Sequence, residues 1–464
     1  MPRSRIERLG AGDLATLWAE EPGTPMHIGL AGLLDAAPLV DQVGRLRLAE
    51  LSKALDARLA RVPQLRRRVR WTGFGQGRPA VVDDQEFAIG RHVASVDLAG
   101  LDERGFWNWC ANQALEPFHR AHPLWRVILA TGLTGGRVGV LVVMHHAMAD
   151  GIAGAALAAK LLDPAPGTVV PARRWRPAPP PGPLALTVDA AVTWLAAVAA
   201  ASGRLPRVSA ALRAAGRDLA ATRAAVSQRA PATSLHRPIG RGRRLAVLRR
   251  PLDHVKRAAH THGATVNDVV LAAVAGGLHR LLTGRGEPVE GLELRVSVPV
   301  GAPGRARNAG GSTPMVLPLP VGDTDPAGRL ARIVAITRAA KAGRDRDDPG
   351  LLASPLVPVG LLHLGIRWLR RHGGSLVNLY VTNVPGPPEP LWLAGARLET
   401  VVPIAPLVAG VPLAVAALSY AGELVISLQG DGAVPDLDVL TAGVAEELDR
   451  LEAPNEEVIG HGPH

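Results

Sequence analysis

The run Val138-Gly139-Val140-Leu141-Val142-Val143-Met144-His145-His146-Ala147-Met148-Ala149-Asp150-Gly151 joins an apolar stretch to a polar turn. Residues 138–144 are short and continuously apolar, which predicts a buried strand. Residues 152–162 are small and aliphatic and have the length of a helix, so the polar residues between them sit where a strand hands over to a helix. Adjacent strand residues project to opposite faces, so one of His145 and His146 is expected to face a cleft while the other packs inward or holds the turn. An imidazole of near-neutral pKa suits a general base that takes a proton from a hydroxyl or amine attacking a carbonyl. Asp150 is expected to pair with an arginine and fix the turn, or to orient the imidazole. Gly151 would permit tight backbone geometry where the helix begins.

Outward from this turn, helical spacing covers residues 13–20, 46–61 and 101–115, and a second strand is expected at 126–133. Further along, strands are expected at 245–248, 294–300, 316–321, 376–382, 401–404, 413–419 and 424–429, with helices at 266–282 and 437–451. Strands and helices alternate on both sides of a Pro/Ala/Arg-rich stretch, which predicts an α/β protein of two comparable halves. The expected division is residues 1–170, a helical connector at 171–243, and residues 244–464.

The composition supports packed halves. Of 464 residues, 47% are hydrophobic and 20% charged, which excludes a mostly disordered chain. Aromatic residues make up only 3%, so the core must be aliphatic. The single cysteine, Cys110, excludes an intrachain disulfide and a Cys-rich zinc site, and reads as a helix packing residue. The charge is unevenly placed: the chain carries 52 Lys plus Arg against 41 Asp plus Glu, a net +11. Residues 171–250 hold 15 Arg, no Lys and only Asp189 and Asp218, a net +13, which leaves the other 384 residues at −2. A nucleic-acid surface across the fold is thereby disfavoured. The basic segment opens on a proline cluster at 177–183 and has only Trp175 and Trp194 to stack on bases. It reads as a solvated connector, or as a basic helix resting on anionic lipid. Residues 184–201, interrupted by Asp189, read as a helix that does not span a bilayer. Residues 1–8 lack an apolar run and do not read as a secretory signal, so a cytoplasmic protein is expected.

Other chemistries have less support. His146 and Asp150 are two potential metal ligands, but no HExxH and no evident third ligand accompany them. No G-x-S-x-G elbow, Walker A loop or GxGxxG occurs.

His145, His146, Asp150 and Gly151 match the HHxxxDG motif of the CoA-dependent acyltransferase superfamily, which includes chloramphenicol acetyltransferase-like enzymes and peptide-synthetase condensation domains. Four further segments resemble the bacterial wax ester synthase/diacylglycerol acyltransferase family: Pro25-Met26-His27-Ile28-Gly29, Pro123-Leu124-Trp125, Asn267-Asp268-Val269-Val270-Leu271-Ala272 and Thr382-Asn383-Val384-Pro385-Gly386-Pro387. They stand in the family's order between about residues 8 and 451. The resemblance implies two chloramphenicol acetyltransferase-like subdomains forming a V, with a central tunnel reached from opposite sides by acyl-CoA and an acceptor alcohol. It implies His146 as general base, with His145 and a mainly architectural Asp150 beside it, supported by Gly151. Asn267 and Asp268 would lie on a buried helix facing the cleft. Asn267 would support the acyl-transfer geometry or the oxyanion, or else belong to a helix-start cap at 265–268.

Pro123, Leu124, Trp125, Thr382 and Asn383 are tunnel candidates; their plainer readings are a packing corner and a Pro-Gly turn. His27 is a further candidate for the cleft. No covalent intermediate, metal or cofactor is implied, acyl-CoA being a co-substrate. The implied acceptor is diacylglycerol or a long-chain alcohol, and contact with an anionic membrane or lipid droplet would place the enzyme at the periphery of the inner membrane or of lipid inclusions. Two departures leave the acceptor open. Phe118-His119-Arg120 replaces a Leu-Asp-Arg stretch, and Ala309-Gly310, with Asn308 displaced, replaces a Gly-Asn pair before Pro314-Met315. Transfer to a different hydroxyl or amine, such as a secondary metabolite, and a noncatalytic lipid-surface protein are the competing readings.

Overall fold

The computed structural model describes residues 6–171, 174–202, 229–300, 313–342, 359–372, 376–408 and 410–453. Asn308, Ala309 and Gly310, and the arginines between 203 and 228, lie outside the described residues. The first half contains α1 (Ala11–Ala19), β1 (His27–Asp35), α2 (Leu48–Arg58), β2 (Arg67–Arg70), β3 (Ala80–Asp83), β4 (Val93–Asp97), α3 (Glu103–Gln113), β5 (Trp125–Thr131), β6 (Arg137–His145), α4 (Gly151–Lys160) and α5 (Pro183–Ser202). The second contains β7 (Arg243–Pro251), α6 (Leu252–Thr261), α7 (Val266–Gly284), β8 (Glu293–Val300), β9 (Thr313–Pro320), α8 (Pro326–Ala342), α9 (Val359–His372), β10 (Leu379–Pro385), β11 (Trp392–Leu393), β12 (Ala396–Ile404), β13 (Leu413–Tyr420), β14 (Glu423–Asp431) and α10 (Leu437–Glu452).

These elements build a mixed α/β fold around two six-stranded sheets. The first has the order β11-β12-β1-β6-β5-β4 and the second β7-β14-β13-β10-β8-β9. Chain order and sheet membership therefore part company: β11 and β12 come from beyond the connector yet belong to the first sheet. There β12 runs antiparallel to β1, pairing Gly29 with Ile404 and Gly32 with Val401. A Cβ at Gly32 would stand 2.7 Å from Leu398 Cδ1 and 2.9 Å from the Thr400 carbonyl oxygen, so only glycine admits the crossing strand so closely. The Ser427 hydroxyl of β14 donates to the Pro403 carbonyl of β12, joining the two sheets. A second tie lies at the start of β7, where the Asn112 side chain of α3 donates to the Arg243 carbonyl at 2.8 Å and accepts its N–H at 2.9 Å.

The core is aliphatic, as 3% aromatic residues require. Its centre in the second half is α7, buried on every side over Val269, Val270, Leu271, Ala272, Ala273, Val274 and Ala275. An all-round apolar helix has no polar face to give to solvent and must sit between layers. It packs on α10 through Gly277, where a Cβ would stand 2.6 Å from Val444 Cγ2. Cys110 is buried on α3, in agreement with a packing role. No helix among the described residues is long and apolar enough to cross a membrane.

Candidate active site

The central pairing of the first sheet builds the site. β1 and β6 run antiparallel with His27 opposite His145, and β6 ends at that histidine. Both of the next backbone links are to flanking segments: His145 N–H donates to the Leu124 carbonyl at 2.9 Å, and His146 N–H to the Met26 carbonyl at 2.8 Å. The turn closes with Met148 N–H on the His145 carbonyl at 2.9 Å. Asp150 then caps α4, its Oδ1 accepting the Ala153 N–H at 2.8 Å. A carboxylate at this position satisfies an otherwise free helix N–H and suits the positive end of the helix dipole.

The two histidines differ in what their rings can do. His145 is buried, and its Nδ1 accepts the Ala147 N–H at 2.9 Å. A neutral imidazole carries one proton, so that proton is on Nε2. Nε2 stands 3.1 Å from Glu20 Oε1, short in distance although not aligned as a full hydrogen bond, and it has no hydrogen bond elsewhere among the described residues. With one nitrogen accepting and the other protonated, His145 has no lone pair to offer a substrate. His146 is only partly exposed. Burial lowers its pKa, the Asp150 charge and its own carbonyl oppose that shift, and His145 adds to it. Its ring is thereby kept neutral, the form a general base needs.

His27 lies beside His145, ring centroids 5.7 Å apart, and 4.4 Å from the Phe118 ring. Its Nδ1 donates to the Ala114 carbonyl at 2.8 Å, and burial lowers its pKa to about 4. It is a neutral, buried member of the supporting cluster. Burial alone would raise the Glu20 pKa, but His145 and His27 together with the Met26 N–H outweigh it and bring it to about 2. The sequence reading missed Glu20; its signal was a carboxylate shortly before the Pro25-Met26-His27 segment. α1 and α9 roof the turn, with Leu14, Leu17, Leu362 and Ile366 packing around Ala147.

The remaining sequence candidates are placed as follows. Pro123, Leu124 and Trp125 are buried; the Trp125 indole donates to the Leu65 carbonyl and stacks on His92 at 4.5 Å. They form a packing corner rather than a cleft wall, and Leu124 serves the site through its carbonyl. Gly151 has no left-handed φ, so tight backbone geometry is not its reason. A Cβ there would stand 3.6 Å from Val384 Cγ2, and the glycine marks where α4 meets β10. Thr382 and Asn383 are half-buried on β10, Thr382 sharing the Val384 face by strand alternation and Asn383 the other.

Asp268 does not face a cleft. Its Oδ2 accepts the N–H and hydroxyl of Thr265 at 2.9 and 2.7 Å, and its Oδ1 accepts the Thr337 hydroxyl at 2.9 Å. This is a capping box whose acid also fastens α8. Asn267, next to it, is half-buried in the first turn of α7. A separate cavity of about 260 Å³, lined by Arg137, Arg249, Arg397 and Glu399 among others, lies at the far end of β6 from His145 and contains no residue of the motif.

Comparison with known proteins agrees with this architecture. Residues 9–270 match the wax ester synthase/diacylglycerol acyltransferase catalytic domain, and residues 312–452 the C-terminal domain of the same family. The probable diacylglycerol O-acyltransferase tgs1 of Mycobacterium tuberculosis is 30% identical over 416 residues, covering 86% of this chain and 87% of that protein. The structure of the wax ester synthase/diacylglycerol acyltransferase from Marinobacter aquaeolei VT8 superposes with a TM-score of 0.66 at 21% identity, over 97% of this chain and 100% of the other. The first condensation domain of the calcium-dependent antibiotic synthetase superposes at 0.58 and 22%, over 97% of each chain. The fold is thus the two-subdomain, chloramphenicol acetyltransferase-like one, and the chain belongs to the wax ester synthase/diacylglycerol acyltransferase family of acyltransferases.

Proposed function

We propose that the chain transfers an acyl group from acyl-CoA to the hydroxyl of a diacylglycerol or a long-chain alcohol, with His146 as general base. The observation that carries this reading is the unequal state of the two rings: His145 Nδ1 is taken by the Ala147 N–H and its Nε2 carries the proton beside Glu20, whereas His146 keeps a neutral, partly accessible ring. His146 takes the acceptor's proton as its oxygen bonds to the thioester carbonyl carbon. The tetrahedral oxyanion collapses, the C–S bond breaks, and the imidazolium returns the proton to the departing CoA thiolate. Asp150 acts by capping α4 and by its charge near the imidazolium. The test is purified protein with a panel of acyl-CoA donors and acceptor alcohols and amines, CoA release followed with a thiol reagent, and product identified by mass. His146→Ala loses nearly all transfer while remaining folded; unchanged turnover removes the assignment. Transfer only to a different hydroxyl or an amine replaces the acceptor and leaves the mechanism.

A peripheral place on an anionic membrane or lipid inclusion is part of this reading. α5 buries Leu186 against Ala80 and Val82, and Arg8 pairs with its Asp189 at 2.8 Å. Its outer side carries Leu184, Val188, Val192 and Leu195, each between 45% and 77% exposed, at the spacing of one helix face. This apolar face lies within the basic segment of net +13. Such a pairing suits an interface of acyl chains and acidic headgroups. Replacing several arginines of 171–241 by glutamine weakens sedimentation with anionic vesicles and leaves transfer to a soluble acceptor intact; unaltered vesicle binding removes this part of the proposal.

A further inference from the structure

We propose that Glu20 is a positioning residue for the general base: its carboxylate holds His145 in the Nε2–H tautomer, and through that ring it sets the turn that presents His146. This rests on the acyl-transfer reading for its kinetic consequence but not for its structural one.

Glu20 follows directly on α1 and touches the site from three directions. Its Oε1 stands 3.1 Å from His145 Nε2 and accepts the Met26 N–H at 3.2 Å, while Oε2 accepts from Arg120 Nη2 at 2.7 Å. The same Met26 supplies the carbonyl that accepts the His146 N–H. One carboxylate therefore holds the residue whose carbonyl bonds the base and lies beside the ring that precedes the base.

The tautomer is where this grip matters. Ala147 N–H can donate to His145 Nδ1 only while Nδ1 is unprotonated. The proton must then reside on Nε2, in a buried setting whose near acceptor is Glu20. Without that carboxylate the buried Nε2–H loses the one acceptor near it among the described residues, and the preference for this tautomer is weakened. The Nδ1–H form would set two N–H groups against each other at Ala147. That residue follows His146 directly in the turn from His145 to Asp150, so the conflict falls on the segment that orients His146. A group orienting the partner of a base in this way is expected to change turnover more than substrate binding.

The other Glu20 neighbours fit the role. His27 Nε2 lies 3.6 Å from Oε1, but its Nδ1 donates to Ala114, so in the neutral ring it does not compete as a proton donor. Arg120, of the Phe118-His119-Arg120 segment, ties down the second oxygen. Phe118 of that segment covers His27.

The experiment uses the full-length protein with Glu20→Ala and Glu20→Gln. Ring nitrogen-15 shifts of labelled histidine, with His145 assigned from His145→Asn, read the tautomer without any substrate; kcat and KM for acyl-CoA read the consequence. Glu20→Ala is expected to lose the Nε2–H signature and to lower kcat at least tenfold, with KM within about twofold. Glu20→Gln, which keeps a carbonyl acceptor, restores the signature and most of kcat. A His145 tautomer unchanged in Glu20→Ala overturns the proposal, as does a folded Glu20→Gln variant as impaired as Glu20→Ala. Should wild-type protein show no acyl transfer, the tautomer measurement still decides the role of Glu20 and only the functional reading fails.

Discussion

The N–H of His146 donates to the carbonyl oxygen of Met26 at 2.8 Å, so the residue that leaves β6 is bonded to the residue that enters β1. The proposed base is therefore not carried on a free loop. Its backbone continues the β1–β6 register that places His27 opposite His145, and the sheet itself determines where the imidazole can stand.

This placement has a pH consequence. Burial lowers the His146 pKa below its ordinary 6.5, and a general base works only when neutral. Activity is expected to persist as pH falls through 6.5 and to be lost only at the lowered pKa. Asp150→Asn keeps a capping side chain but removes the charge that raises this pKa, so the acidic limb of kcat/KM should move lower still. Initial rates between pH 4.5 and 8 check both; a limb at or above 6.5 in the wild type contradicts the burial argument.

Stability should respond to pH through His27. Its folded pKa of about 4 lies below the ordinary 6.5, so the unfolded chain binds the proton first. The neutral ring's contribution is present above 6.5 and declines as pH falls from 6.5 towards 4. Glu20, lowered to about 2 from 4.5, keeps its contribution until pH drops below 4.5, so it does not enter the upper part of that window. Urea denaturation at pH 7, 6 and 5 should show a falling midpoint. His27→Gln, which offers the Ala114 carbonyl a donor but does not titrate, should flatten the slope.

Gly32→Ala tests the crossing strand. The new Cβ would meet Leu398 Cδ1 at 2.7 Å and the Thr400 carbonyl at 2.9 Å, both on β12. Overpacking of this kind costs about 1–3 kcal/mol. A lowered urea midpoint with unchanged m is expected; an unaltered midpoint would mean that β12 does not lie against β1 as closely as described.

Asp268→Ala separates a cap from a cleft residue. It removes the acceptor for Thr265 and Thr337, and should cost roughly 2 kcal/mol of stability. KM and kcat of the folded protein should stay within about twofold of wild type. A selective loss of kcat at unchanged stability would return Asp268 to the site.

Local patterns reveal much of this molecule before any coordinates. The apolar run 138–144 and the residues after it mark β6, the turn and α4, because burial on both faces of a central strand leaves no alternative to continuous aliphatic sequence. Residues 266–282 identify α7 for the same reason. By contrast, residues 27–35, HIGLAGLLD, reveal only a lead-in to a strand, since two glycines weaken the pattern. Those glycines exist for the neighbour: β12 must approach, and that neighbour lies more than 360 residues away in the chain.

The sequence by itself determined the α/β class, the family, the position of the His-His-Asp-Gly turn and the segregation of positive charge into one segment. These depend on residue type and short-range spacing, which the chain carries wherever it folds. Only the tertiary structure decided which histidine is committed, that Glu20 belongs beside it, that Asp268 is a cap, and that the first sheet is completed by β11 and β12. Each of these depends on a pairing between distant residues, and such pairings follow from which buried donor finds which acceptor and which strand finds an open edge, neither of which is written in local order.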